Sequence, residues 1–136
     1  MKRYLCILIC FAAAILAGSC QKGWETEIEL GVNNTRINIP WAKAQDTYDF
    51  VFPVYSNRSW TIKQVAGGDW LTIGKSKGEG REYIPMQTMP NILSTPRAVR
   101  VEVSAGKKTI PVYIVISSES LAATEIEDAL LDSYLF

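Results

Sequence analysis

Apolar and polar residues alternate in short segments along most of the chain after residue 27, and this period of two is typical of β-strands with one buried face. In "EIELGV" the apolar face carries Ile28, Leu30 and Val32, and in "TRINIPW" it carries Ile37 and Ile39. The Asn-Asn-Thr run between the two segments suits a turn. The pattern therefore predicts two short strands joined by a tight connection.

The next segment, "TYDFVFPVYSN", has apolar residues on both of its faces. One face carries Tyr48, Phe50, Phe52 and Val54. Val51 and Tyr55 fall on the opposite face, and Pro53 has no backbone N–H to donate. A strand with these properties is expected at a sheet edge or at a β-bulge.

Two segments that each open with a tryptophan, "SWTIKQV" and "DWLTIGK", follow on either side of a glycine corner and predict two further strands. Because a buried Trp fills the middle of many β-sandwiches, we expect Trp60 and Trp70 in the core and not at a ligand. The polar run "KSKGEG" is predicted to be a mobile loop. "REYIPMQTMPN" is predicted to be an irregular strand interrupted by Pro85 and Pro90.

The clearest element is a β-hairpin in "TPRAVRVEVSAGKKTIPVYIVIS". Val99, Val101 and Val103 alternate with charged residues, and Gly106 lies in the turn. The return strand is apolar on both faces, with Ile110, Val112, Ile114 and Ile116 on one and Tyr113 and Val115 on the other. Another part of the chain, or a partner, must therefore cover its second face.

The last residues, "TEIEDALLDSYLF", are a candidate for that cover. Thr124 and Glu127 fit a capping box, which predicts a helix from Glu125 to Phe136. The apolar face of this amphipathic helix carries Ile126, Leu130 and Tyr134. Because so short a helix is marginal alone in water, it either docks on its own sandwich or binds a partner protein through these three residues.

Six to eight short strands with no helix between them indicate an all-β fold, an immunoglobulin-like antiparallel β-sandwich with a short C-terminal helix. The predicted divisions are residues 1–19 as a signal peptide, 20–26 as a lipidated tether, 27–117 as the sandwich and 118–136 as the C-terminal helix or tail.

The start of the chain resembles a bacterial lipoprotein signal. Lys2 and Arg3 precede the apolar stretch Leu5–Ala17, which is shorter than the roughly 20 residues that a membrane-spanning helix needs. Small residues then lead to Cys20. The resemblance implies that the signal is cleaved before Cys20 and that acyl chains on this residue anchor the protein in a membrane. We therefore expect a lipid-anchored protein of the bacterial cell envelope, in the outer membrane.

Composition excludes several classes of function. The chain has 14 Lys and Arg, 14 Asp and Glu, and no His, so it lacks the commonest general base and has no basic excess for nucleic acid. Cys6 and Cys10 leave with the signal and Cys20 carries lipid, so processing leaves no thiol for a disulfide or a metal. We predict no metal and no cofactor.

Three acidic residues that flank loops, Asp69, Glu79 and Glu82, raise the question of a glycosidase, which needs two facing carboxylates. Turn chemistry and solvated charge explain them more simply, because no nearby pocket would raise the pKa of an acid. An enzyme is therefore not expected.

Several features together resemble the BACON domain, the Bacteroidetes-associated carbohydrate-binding, often N-terminal module. They are the run "WTIKQVAGGDWLTI" with an Asn upstream, the "SKGEG" segment, Pro96 and Arg97 before an alternating strand, and a closing apolar strand. The resemblance covers about Glu27 to Ser117, and the last strand ends in Val-Ile-Ser where the family usually has Val-Thr-Gln. It implies a small β-sandwich of an exported Bacteroidetes protein, with carbohydrate binding or a spacer role.

Two functions of different classes follow. The first is a noncatalytic, lipid-anchored envelope module that binds glycan or presents a binding surface. Because aromatic rings stack on pyranose rings, Trp41 and Tyr83 are the candidate glycan-binding residues, with packing at the rim as the simpler interpretation of both. The alternative is an assembly subunit that contacts another envelope protein through its sheet edge or its C-terminal helix.

Overall fold

The structure, a computed structural model, describes residues 27–135, so the expectations for Cys20 and the rest of residues 1–26 lie outside it. The strands are β1 (Leu30–Val32), β2 (Arg36–Ile39), β3 (Tyr48–Ala66), β4 (Leu71–Ile73), β5 (Lys77–Thr88), β6 (Arg97–Ala105) and β7 (Lys108–Ile116). The helical elements are α1 (Trp41–Ala44) and two 3-10 segments, Ala123–Glu125 and Asp128–Tyr134.

The strands form a β-sandwich in which β3 contributes to both layers. The hydrogen-bonded order is β2-β7-β6-β3-β5-β4, and β1 also pairs with β3. β1 pairs with the first part of β3, and β6 pairs with its last part. β5 pairs with β3 on both sides of a register shift between Tyr55 and Ser59. The predicted all-β sandwich is confirmed.

One strand pair differs from the antiparallel arrangement that the sequence predicts. β2 pairs with β7 in parallel, whereas β1 pairs antiparallel with β3. β2 and β7 lie far apart in sequence and are not joined by a hairpin turn, so nothing forces them to run in opposite directions. The short segment 33–35 thus connects an edge of one layer to an edge of the other.

β3 runs continuously over 19 residues, where the sequence predicts two separate strands. The polar residues in its middle fall at the register shift, which a β-bulge accommodates without ending the strand. Pro53 pairs with Tyr83 on the β5 side, and β1 begins to pair with β3 only at Val54. The proline therefore lies beside an edge of its layer, as its missing N–H requires.

The start of β5 corrects the prediction of a mobile loop at "KSKGEG". Lys77, Gly78 and Glu79 pair with β3. A Cβ at Gly78 would lie 2.6 Å from Cζ2 of Trp60, so only glycine permits this close approach. The backbone N–H of Glu79 also donates a hydrogen bond to Glu82 Oε2 (3.0 Å). The polar composition of the segment concealed its packing against the indole.

Trp60 and Trp70 are buried as predicted, with exposed fractions of 1% and 3%. The indole N–H of Trp60 donates a hydrogen bond to the carbonyl oxygen of Gly80 (3.1 Å). The guanidinium carbon of Arg97 lies 5.6 Å from the ring centre of Trp70. Fully buried residues of the hairpin complete the core between the layers, namely Val99, Val101, Val103, Val112, Ile114 and Ile116.

The one-turn helix α1 is absent from the predicted elements, which placed no helix between strands. It follows Pro40, whose extended backbone occupies the N-cap position. Within α1, Ala44 is buried and Trp41 packs partly against the core. A single turn has too few residues to show a helical period, so the hydrophobic pattern could not reveal it.

Candidate functional site

The outward side of β3 and β5 carries a row of apolar and aromatic side chains. Alternation along the strands directs Phe52 and Ile84 into the core, so the residues beside them point away from it. The cross-strand pairs on the outward side are Val51 with Pro85, Pro53 with Tyr83, and Tyr55 with Arg81. We name these six residues the outer face.

The outer face is open to solvent. Tyr83 is 62% exposed, Val51 is 60% exposed, and Tyr55 is exposed as well. The C-terminal tail packs on β6 and β7, in the other layer, and leaves this surface uncovered. Large exposed apolar side chains that adjoin one another indicate an interaction site more strongly than a single one does.

The two tyrosines of the outer face lie near each other. Tyr55 pairs with Arg81, two residues before Tyr83 on β5, so the tyrosines are diagonal neighbours across two strands. Such positions lie roughly 7–8 Å apart, within the reach of aromatic side chains. One short ligand could therefore contact both rings.

Polar contacts fix the groups around these rings. The Arg81 guanidinium carbon lies 5.4 Å from the ring centre of Tyr55, and the Tyr55 hydroxyl donates a hydrogen bond to Glu29 Oε1 (3.3 Å). Further along, Gln87 Nε2 donates a hydrogen bond to Asp49 Oδ1 (2.8 Å). The aromatic surface of the outer face thus adjoins charged and amide groups that can bind hydroxyls.

Two shallow depressions border the outer face, one next to Pro85 and the other next to Arg81. The larger, about 390 Å³, is lined mainly by Asp49, Val51, Thr72, Gly74, Pro85 and Gln87. The smaller, about 180 Å³, is lined by residues of β1, β3 and β5 that include Gly31, Pro53, Tyr55 and Arg81. The two depressions therefore extend the candidate surface across the strands, from β4 to β1.

The two candidate glycan-binding residues have different surroundings. Tyr83 stands on the outer face, whereas Trp41 belongs to α1 and its ring is half-buried against the core. The structure thus does not present them as one exposed aromatic pair. Trp41 has the rim packing that the simpler interpretation predicts, and the exposed aromatic neighbour of Tyr83 is Tyr55, its diagonal neighbour on β3.

The acidic residues that raised the question of a glycosidase do not converge. Asp69 adjoins Trp70, whose carbonyl oxygen accepts a hydrogen bond from the N–H of Met89 beyond the end of β5. Glu79 lies near the start of β5, nine residues before Thr88, which corresponds to roughly 30 Å of extended strand. Two glycosidase carboxylates lie only about 5–10 Å apart, so Asp69 and Glu79 are not such a pair.

The pKa of the Glu82 carboxyl is lowered, which does not suit a general acid. A hydrogen bond from the Lys75 ammonium, followed by one from the backbone N–H of Glu79, lowers the pKa of the Glu82 carboxyl. A carboxyl that donates a proton near neutral pH needs a raised pKa instead.

Residues 27–135 contain no group of three or more His, Cys, Asp or Glu side chains placed to hold a metal ion. Among the same residues, none of the helices has the length and apolar character required to span a membrane.

The C-terminal tail packs on the second face of β7, as one of the two alternatives proposes. Ala98 of β6 and Val115 of β7 form a buried cluster with three tail residues, Ala123, Ile126 and Leu131. Tyr113 and Leu135 pack against this cluster, and Leu135 forms a β-bridge with Ala98. We name these residues the tail cluster.

The helical face predicted for the tail is not formed as expected. Ile126 is buried and Tyr134 is half-buried, but Leu130 is 52% exposed. The segment Asp128–Tyr134 is a 3-10 helix with three residues per turn, which aligns Leu131, not Leu130, with Tyr134. Neither 3-10 segment has a side-chain cap, so the predicted capping box at Thr124 is absent.

Polar contacts at the margins of the tail also attach it to the sandwich. Arg36 of β2 donates hydrogen bonds to Asp128 Oδ1 and to the carbonyl oxygen of Ala123, both at 2.6 Å. The Tyr113 hydroxyl donates one to Asp132 Oδ1, also at 2.6 Å. Two acidic residues of the tail, Asp128 and Asp132, therefore help to hold it to the sandwich.

The sequence did not indicate that Val51 and Tyr55 belong to the candidate site on the outer face. The signal was present, because both fall on the face of their segment opposite the predicted core face. Without the strand pairing, nothing showed that this second face meets Tyr83 of β5 and faces solvent.

A scan of the sequence against protein-family models finds no match, and no curated protein matches it. Among solved structures, the chain is similar to a GH5 xyloglucanase from Bacteroides ovatus in complex with a XXXG heptasaccharide, with a TM-score of 0.56 and 18% sequence identity. The similarity covers 68% of this chain and 19% of the xyloglucanase chain. At this identity the similarity supports the fold alone.

Proposed function

We propose that this protein is a noncatalytic, lipid-anchored module of the bacterial cell envelope that binds glycan through the outer face. The observation that carries the proposal is the exposed pair Tyr55 and Tyr83 on adjacent strands, next to Val51. Aromatic rings bind the C–H faces of pyranose rings, and an exposed sheet surface accepts an extended chain.

Polar groups at the edge of the outer face suit the hydroxyl groups of a sugar. Arg81 supplies N–H donors, and the Asp49–Gln87 pair supplies an acceptor and a donor at the larger depression. The depressions are shallow, which favours a flexible oligosaccharide segment over a small molecule that needs enclosure.

The choice of glycan as the ligand rests on this surface chemistry and on the resemblance to the BACON domain. The similar xyloglucanase was solved with a heptasaccharide, but that ligand belongs to the whole enzyme, of which the similarity covers 19%. The proposal of a lipid anchor is based on the sequence around Cys20. The alternative, an assembly subunit that uses its sheet edge or its tail, stays a prediction.

A carbohydrate array tests glycan binding directly. We expect soluble protein that begins at Gln21 to bind at least one polysaccharide or oligosaccharide, and Tyr83→Ala to reduce that signal at least tenfold. Leu130→Ala is the matched control, because it removes another exposed apolar side chain, from the tail. An array without signal for the folded protein, or equal signals from all three proteins, would contradict the proposal.

A further inference from the structure

The smaller depression beside the outer face lies around a glycine. Gly31 of β1 pairs with Tyr55 of β3, which pairs in turn with Arg81 of β5, so the three residues form one row across the strands. A Cβ at Gly31 would meet no atom within 4 Å, and the backbone of Gly31 does not have a positive φ. The fold therefore does not require glycine at this position, and its missing side chain leaves the depression open.

Among the described residues, Arg81 is the charged one that lines this depression. It is exposed and forms no ion pair with any residue of the range 27–135. The contact of its guanidinium with the Tyr55 ring, at 5.4 Å, holds it beside the depression. The Glu29 carboxylate accepts a hydrogen bond from the Tyr55 hydroxyl and does not line the depression. The N–H groups of Arg81 are therefore available to an anionic ligand.

The remaining residues that line the depression suit a sugar. Asn33 contributes a side-chain amide, which can donate hydrogen bonds to hydroxyl groups and accept them. Tyr55 and Pro53 contribute aromatic and aliphatic surface. The volume of about 180 Å³ lies below the roughly 300–1,000 Å³ that is usual for the pocket of a whole small molecule. The depression thus suits one unit of a longer glycan.

The other end of the outer face has the opposite charge. The outward positions along β5 are Arg81, Tyr83, Pro85 and Gln87. The first and the last of them lie roughly 20 Å apart. Asp49, which accepts the hydrogen bond from Gln87, is the charged residue among the described residues that line the larger depression. Because a carboxylate is attracted to Arg81 and repelled by Asp49, a glycan with one acidic unit would bind in a single orientation.

We propose that the smaller depression is the subsite for an acidic sugar, a uronic acid unit whose carboxylate binds Arg81 and whose ring lies over Gly31 beside Tyr55. The planar guanidinium matches a carboxylate through two parallel N–H···O hydrogen bonds. This subsite rests on the proposed function, since it assigns the class of glycan that the outer face binds.

Paired ligands that differ in charge test the subsite. Oligosaccharides that contain galacturonic, glucuronic or mannuronic acid are each compared with their carboxyl-reduced, neutral form by isothermal titration calorimetry on soluble protein that begins at Gln21. We expect at least one acidic oligosaccharide to bind at least tenfold more tightly than its neutral form. Arg81→Met should abolish this preference. Lys63→Met is the matched control, because it removes an exposed cation from the last part of β3, and it should keep the preference.

A second variant tests the depression itself. Gly31→Leu fills it, and we expect the affinity for the acidic oligosaccharide to fall at least tenfold. Because a Cβ at Gly31 meets no atom, the variant should melt like the unmodified protein. Unchanged affinity of this folded variant would overturn the subsite.

Three further results would overturn the acidic subsite. They are equal affinity for acidic and neutral forms, a preference that survives in Arg81→Met, and equal losses from Arg81→Met and Lys63→Met. Tighter binding of a sulfated neutral oligosaccharide would overturn it in favour of a sulfate ester. If the subsite fails and the proposed function holds, neutral glycans still bind and Tyr83→Ala still weakens them. If no acidic oligosaccharide binds, the subsite is overturned, and the neutral glycans of the array test the proposed function separately.

Discussion

Glu82 shows how one side chain orders a polar segment. Its carboxylate accepts hydrogen bonds from the Lys75 ammonium and from the backbone N–H of Glu79, across the start of β5. Gly78 lies between this carboxylate and the Trp60 ring, with no space for a side chain. A segment with the composition of a loop is thus held as a strand by the local contacts of Glu82 and by its packing against Trp60.

The Glu82 contacts predict a pH dependence. The pKa of Glu82 is lowered in the folded protein, so the carboxylate favours folding at pH values above its ordinary pKa, and this contribution is lost as the pH falls through the lowered pKa. Lys75→Met removes the first cause, and we expect the pKa of Glu82 to rise. Carbon-13 NMR titration of the Glu82 carboxyl in both proteins measures the change, and an unchanged midpoint would show that the hydrogen bond from Lys75 does not form in solution.

The burial of a single residue can be predicted from the sequence where apolar and polar residues alternate without interruption. The burial of Val99, Val101 and Val103 and the core position of Trp60 follow from the pattern alone. The burial of Asn91 does not, because it depends on carbonyl groups supplied by other parts of the chain. Polar residues that satisfy buried backbone groups carry no hydrophobic signal.

At the scale of the elements, two consecutive leucines of the tail differ in how deeply they are buried. Leu131 is 2% exposed within the tail cluster, whereas the adjacent Leu130 is 52% exposed. Their chemistry is identical and their positions in the chain are consecutive, so only packing on β6 and β7 distinguishes them.

This pair predicts opposite effects of the same substitution. Leu131→Ala should lower the free energy of unfolding by about 2–5 kcal/mol, the usual cost of truncating a buried leucine. Leu130→Ala should change it by less than about 0.5 kcal/mol. Urea denaturation of the two variants measures both values. If they were equally small, the tail would not be docked in solution, and the partner-binding alternative for the tail would gain support.

The sequence predicted the all-β architecture and the final hairpin, but not how the strands connect the layers. A hydrophobic pattern reports which residues are buried, and it leaves open which strands pair. The single long β3 and the parallel pairing of β2 with β7 depend on such pairing. The tail illustrates a related limit, because a 3.6-residue period was assumed where the chain adopts a 3-10 helix.

At the scale of the whole molecule, the two layers differ in what covers them. The C-terminal tail packs on β6 and β7, whereas the outer face of β3 and β5 is exposed to solvent.

The proposed anchor predicts the behaviour of one substitution. Cys20→Ser removes the predicted acceptor for the lipid, so we expect the acylated mature protein to be lost and an unlipidated precursor to accumulate. Metabolic labelling with a palmitate analogue and membrane fractionation measure both effects. Recovery of a signal-cleaved, acylated, membrane-bound protein from this variant would refute lipidation at Cys20.

Glycan binding by the outer face is tested most directly by NMR titration of nitrogen-15-labelled soluble protein with the strongest ligand from the array. The account predicts that the amide shift changes are centred on residues 51–55 of β3 and 81–87 of β5, and that Tyr83→Ala abolishes them. Shift changes centred on α1 and Trp41, on the tail cluster or on the connection between β5 and β6, with the outer face unaffected, would contradict it.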